Sequence, residues 1–224
     1  MPNHLGHQSP DNHTAMSSDT RPLIIACGAL ATELRAVLRA SGVEDSIEVK
    51  YLAANLHNRP ENITPQVAEL LEQNDSRPIF VAYADCGTGG HLDLLLKKYP
   101  KVSRLPGAHC YEFFAGTNAF LAAHDEEPGT FYLTDFLAKH FDALVWQGLG
   151  LQDHPELLNA YFGNYRRVVL FSQTVDQDVV SAGREAAQRL GLAFEHRHTG
   201  MKFFSDSIPV SFKSSTKSSK SLGE

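Results

Sequence analysis

Three residues in this sequence have the chemistry of soft-metal ligands or nucleophiles, and all three stand in similar settings: Cys27, Cys86 and Cys110. In IIACGALATEL and VAYADCGTGGHLDL an apolar run enters a Cys-Gly pair and a helical pattern follows at once. In LPGAHCYEFFAG the chain turns at Pro106-Gly107 and reaches Cys110 at what reads as a helix start. A thiol at a helix N-terminus loses its proton more readily, because exposed N–H groups and the helix dipole stabilise the thiolate. Three thiolates converging on one point leave a coordination position open, which is the arrangement of catalytic zinc. An iron–sulfur cluster held by three cysteines, with one open iron, is the competing occupant. The plainer explanation of the same pattern is three unrelated cysteines, with the Cys-Gly pairs chosen for turn geometry.

The neighbours of these cysteines define the rest of the candidate site. Gly87, Thr88, Gly89 and Gly90 form a loop at a helix start, where backbone N–H groups can cradle a small anion. The loop matches neither the GxGxxG fingerprint nor a P-loop lysine motif. His109 adjoins Cys110, and neighbouring side chains diverge on a helix and oppose on a strand. His109 is therefore expected to face substrate as an acid or base, and not to hold the metal. Tyr111 is a candidate ligand contact. Glu112 is a candidate acid or base, although a first-turn carboxylate is also what a helix dipole favours. His91 reads as a polar residue opening a helix. No GxSxG nucleophile elbow is present.

The elements that position these residues alternate. PLIIAC, Ile47 to Leu52, PIFVAYA, DALVWQ, RVVLF and Leu192 to His196 read as about six strands. Between them, helical spacing covers Ala29 to Ser41, a stretch capped at Thr64-Pro65, Leu92 to Leu96, Cys110 to Ala123, Thr134 to His140, Pro155 to Phe162 and Gln177 to Leu190. Strand and helix in alternation predict a single-domain, Rossmann-like α/β fold: one open parallel sheet with helices on both faces. Ligands of such sheets bind outside the carboxyl ends of the strands, where Cys27 and Cys86 fall. Residues 1–20 and 206–224 have few large apolar side chains and are expected to be disordered tails around a domain of residues 21–205.

A net charge of −6 argues against a nucleic-acid surface. No apolar run approaches the ~20 residues that cross a bilayer. Three cysteines cannot all pair, which points to a reducing, cytoplasmic home.

At the cysteine segments, and at GTFYLT from Gly129 to Thr134, the sequence resembles the uncharacterised DUF1638 family over roughly residues 22–195. The three cysteines fall on that family's cysteine positions. Many members have His-Asp-Cys where this chain has Ala108-His109-Cys110, so the histidine stands one residue later here. The resemblance implies a shared metal site and an association with corrinoid-dependent one-carbon methyltransferase systems. The expected function is a zinc-dependent enzyme of one-carbon or methyl-group metabolism acting on a small anionic or thiol substrate, with a corrinoid protein or methyltransferase as partner. A non-enzymatic metal, cluster or corrinoid accessory protein and a metal-free anion-binding module are the alternatives.

Overall fold

The structure is a computed structural model that describes residues 20–214. The first half runs β1 (Leu23–Cys27), α1 (Ala31–Ala40), β2 (Glu48–Leu52), α2 (Ile63–Glu72), β3 (Ile79–Ala82), α3 (His91–Leu96) and β4 (Ser103–Arg104). Its four strands form one parallel sheet in the order β2-β1-β3-β4, with Ile25 level with Lys50 on one side and Val81 on the other. LIIAC and IFVA are buried at every position. Their unbroken apolar runs follow from a parallel sheet covered on both faces.

The second half runs α4 (Cys110–Ala115), α5 (Thr117–Glu126), β5 (Thr130–Leu133), α6 (Asp135–Lys139), α7 (Leu158–Phe162), β6 (Arg167–Ser172), α8 (Gln177–Leu190), β7 (Ala193–His198) and α9 (Lys202–Ser207). Its three strands make a second parallel sheet, β5-β6-β7. The parallel α/β class is as expected, but the strands divide between two sheets with separate cores where one sheet of about six was expected.

Local chemistry accounts for the helices. α1 buries Leu34, Val37 and Leu38 on one face and stops before Gly42, whose φ of +68° suits glycine. Asp176 caps α8 by accepting the Asp178 N–H at 2.9 Å, and left-handed Gly191 ends it. The expected helix of residues 110–123 is two helices, broken at Gly116 with φ +81°. Thr64 is not a cap: α2 begins at Ile63, and the Thr64 hydroxyl is buried without a partner.

Two expectations are corrected. The segment Asp142–Trp146 forms a wide helical turn, and β5 takes the strand place beside β6. Four apolar residues in a row look alike in a buried strand and a helical turn, and periodicity cannot separate them. Trp146 instead lies under the Arg189 guanidinium, 4.1 Å from its ring centre. At the C-terminal end, residues 206–214 are not a loose tail. Ile208 and Phe212 are buried in the first core, and Phe212 meets the Phe80 ring at 5.7 Å. Phe204 of α9 packs there too, 5.4 Å from Phe113 and 5.3 Å from Phe114. A few well-spaced apolar residues suffice to dock a segment when an open core face awaits them. The remaining tail residues, 1–19 and 215–224, lie outside the described residues.

Candidate functional site

The strand order determines where the site falls. From β1 the chain crosses to β2 on one side, then returns to place β3 on the other. The two crossovers diverge above the carboxyl ends of β1 and β3, leaving the crevice in which open parallel sheets bind ligands. Cys27 is the last residue of β1, and Cys86 follows β3 closely.

The Cys27 sulfur accepts the Ala29 N–H at 3.4 Å and so opens the short helical turn after β1. His57, in the turn that follows β2, brings its Nδ1 to 3.8 Å from that sulfur and 3.0 Å from the Ala54 carbonyl. A carbonyl only accepts, so Nδ1 carries the proton toward Ala54 and Nε2 is left as the basic nitrogen. Cys110 reaches the same place through two backbone bonds. The Asp85 N–H donates to the Gly107 carbonyl at 3.1 Å and the Cys86 N–H to the Ala108 carbonyl at 2.9 Å. These tie the loop after β3 to the segment that enters α4.

Cys86 adopts φ 51°, the only non-glycine residue with positive φ among the described residues. Gly87, Gly89 and Gly90 share that left-handed backbone. An L-residue there is strained by roughly 1–2 kcal/mol. Strain at one residue of a loop otherwise built from glycine marks a position where a side chain is required.

The three thiols line the same cavity, and burial dominates the electrostatics of Cys27 and Cys110. Burial pushes the Cys27 thiol up to about 11, against the pull of the Ala29 N–H. Burial raises the Cys110 thiol well above its usual value, and the charges of Cys86 and Cys27 raise it further. For His57, desolvation lowers the pKa, but a hydrogen bond donated to the Cys86 sulfur, the Cys86 charge and the Ala54 carbonyl outweigh it, and the net shift is upward. Tyr83 is buried beside them with its ring stacked on His57 at 6.3 Å. Its hydroxyl finds no hydrogen-bond partner, and burial followed by the Cys27 charge pushes its pKa far up.

All of these residues line one cavity of about 220 Å³. Its other wall comes from the second half of the chain, through Phe131, Phe136, Leu144 and Val145. The Asn58 side chain donates to the Leu144 carbonyl at 3.0 Å and fastens the two halves at its edge. Apart from the thiols, imidazole and phenols, the lining is mostly apolar, suited to a small alkyl-bearing ligand.

The donor types, three thiols and an imidazole, suit a soft metal ion. As they stand, no three His, Cys, Asp or Glu side chains among the described residues are arranged to hold one. Closing the set requires the thiols to lose protons and turn from present partners such as the Ala29 N–H. A bound cation favours that deprotonation, which burial alone opposes.

The other sequence-predicted residues divide differently. Tyr111 does line the cavity. His109 is corrected: it is exposed and turned to a different cavity, among the rings of Tyr111 and Phe120 at 6.4 and 6.5 Å. Glu112 is corrected as well. Its buried carboxylate accepts the Ala108 N–H at 2.6 Å and so holds the start of α4. A side chain at Gly107, whose φ is +90°, would strike that carboxylate. The Gly87–Gly90 loop already cradles an anion of its own. The Asp85 carboxylate accepts the Gly89 and Gly90 N–H groups at 3.1 and 2.8 Å and the Thr88 hydroxyl at 2.6 Å. An outside anion would have to compete with that carboxylate for these donors.

Sequence reasoning missed His57, Tyr83 and Asp85. His57 lies in a polar turn with no motif, and only its place after a strand of the same sheet could have flagged it. Tyr83 and Asp85 stand inside the segment that contains Cys86.

The chain is thus a parallel α/β protein of two sheets with a thiol-lined cavity between its halves. It belongs to the family described as "Protein of unknown function (DUF1638)", whose model matches residues 51–208. That span includes His57, Tyr83, Cys86 and Cys110, while Cys27 precedes it. No curated protein matches the chain. Among solved structures, ornithine carbamoyltransferase from Pyrococcus furiosus is similar at 18% identity and a TM-score of 0.26, covering 81% of this chain and 55% of that one. No helix among the described residues is long and apolar enough to cross a membrane.

Proposed function

We propose that this protein is a metal-dependent enzyme of one-carbon chemistry in which Cys27, Cys86 and Cys110 hold zinc beside a small apolar cavity. The observation that supports this reading is the convergence of three thiols, distant in sequence, on one cavity at the sheet's switch point. A zinc ion held there would supply Lewis acidity to a substrate thiol or water in its open position. The chain's own groups do the rest. His57 presents Nε2 as an acceptor or fourth donor, and the Tyr83 hydroxyl offers an uncommitted hydrogen bond to the ligand. Phe131, Phe136 and Val145 exclude water and fit a methyl or other short alkyl group. In this reading a methyltransferase or corrinoid protein delivers or receives the methyl group.

The test is metal analysis and an absorption spectrum on anaerobically purified protein. Colourless protein with stoichiometric zinc, lost on Cys86→Ser and kept on His109→Ala, supports the proposal. Brown protein absorbing near ~400 nm replaces zinc with an iron–sulfur cluster. Protein that binds neither, even when supplied under reducing conditions, overturns the metal reading.

A further inference from the structure

A second cavity lies against the first, with a volume of about 620 Å³. Its walls are aromatic. Tyr111, Phe120 and Tyr132 form one side, with ring centres 5.1 to 6.4 Å apart. Phe131 and Tyr165 meet edge to face at 5.9 Å on another, and Tyr161 stands at the rim with 46% of its surface exposed. Three further observations define what such a space recognises. No Lys, Arg, Asp or Glu lines it, so it is not built for a strongly charged group. The Tyr132 side chain is buried at 6% exposure, its hydroxyl makes no close hydrogen bond, and stacking on Phe171 at 5.4 Å fixes its ring. His109, His124 and Asn164 add polar atoms around the cavity.

We propose that this second cavity seats a planar heteroaromatic ring of a ligand whose other end reaches the thiol cavity. Aromatic walls stack on a flat π-face, and the Tyr132 hydroxyl and the imidazoles supply hydrogen bonds to ring heteroatoms. The volume is that of a small-molecule site, larger than one ring alone requires. A quaternary ammonium, the other usual guest of aromatic cages, is disfavoured. Arg167 stands directly behind the cavity, with its Nε donating to the lining Thr130 hydroxyl at 2.9 Å, and no carboxylate lines the wall. The link to the thiols is Tyr111 and Phe131, which line both cavities. A ring stacked between Tyr111 and Phe131 thus lies against the wall it shares with the thiol cavity. The proposal does not depend on which metal, if any, the thiols hold.

The experiment titrates riboflavin and adenosine into the full chain, both metal-free and zinc-loaded, following flavin fluorescence and heat. Saturable binding of either ring compound, weakened about tenfold by Tyr161→Ala and measurably by Tyr132→Phe, supports the assignment. Tyr161 is exposed enough that its removal leaves the fold intact. Binding that survives Cys86→Ser keeps this proposal separate from the fate of the zinc reading. Three results overturn it: no saturable binding of either probe, affinity unchanged by Tyr161→Ala, or binding of tetramethylammonium in preference to both ring compounds.

Discussion

Replacing Cys86 by glycine and by alanine separates the two things this residue does. Both variants remove the thiol; only alanine keeps a Cβ on a backbone held at φ 51°. The left-handed conformation disfavours an L-residue by roughly 1–2 kcal/mol, while glycine's extra freedom in the unfolded chain offsets about 0.5–1 kcal/mol of that gain. Cys86→Gly should therefore be more stable than Cys86→Ala by about 0.5–1 kcal/mol. For a chain of this size that is a difference of about 1 to 4 °C in melting temperature. The assay is a thermal melt of wild type and both variants, with and without added zinc. Zinc should raise the wild-type melting temperature by mass action and leave both variants unmoved. An alanine variant that melts at or above the glycine variant refutes the strain argument. Equal zinc stabilisation in all three proteins refutes the assignment of Cys86 as a ligand.

Tyr83→Phe should raise the melting temperature, because it removes a buried hydroxyl without a partner. A fall in melting temperature would show that the hydroxyl has a stabilising partner. Glu33 is a buried acid whose pKa is raised chiefly by burial, with Asp135 adding to the shift and its own N–H and Lys139 opposing it. A raised acid pKa means that stability is full below the unfolded value and is lost as pH climbs through the folded one. Glu33→Gln should therefore melt higher than wild type at neutral pH, with the gap closing below about pH 4; a gap that widens on acidification contradicts the burial argument. Phe212→Ala should lower stability by about 3 kcal/mol, toward the low end for a core phenylalanine, or about 6 to 12 °C. An unchanged melting temperature would return the segment after residue 205 to a loose tail.

What was legible in the sequence depended on how locally each feature was determined. β1 and β3 were readable because a strand buried on both faces must be apolar throughout, and LIIAC and IFVA are. The cysteines were readable because a strand that ends in Cys-Gly before a helix places the thiol at the binding edge. Glu112 was ambiguous, since a first-turn carboxylate can cap a helix or move a proton; its bond to the Ala108 N–H decides for the cap. The Gly87–Gly90 loop was misjudged for want of Asp85, which a sequence cannot show folded back on its own N–H groups. DALVW was misassigned because five residues carry too little periodicity. His57 and the division into two sheets were not legible at all, because both rest on docking between distant segments.

If the thiols hold a metal as proposed, the position of the cavity argues for an open site over a closed structural one. A structural zinc needs four donors and a closed shell, and gains nothing from empty space beside it. Here the donors stand at one end of an apolar chamber whose far wall belongs to the other half of the chain. The Asn58 bond to the Leu144 carbonyl is a direct side-chain link between the halves at its edge. Because α4 and α9 pack into the first core, the halves do not part as separate bodies, and any opening of the chamber falls at this edge. Weakening the link by Asn58→Ala should speed alkylation of Cys86 and Cys110 by iodoacetamide, with the circular-dichroism spectrum unchanged. Reactivity no faster than wild type would mean that the chamber opens by another route.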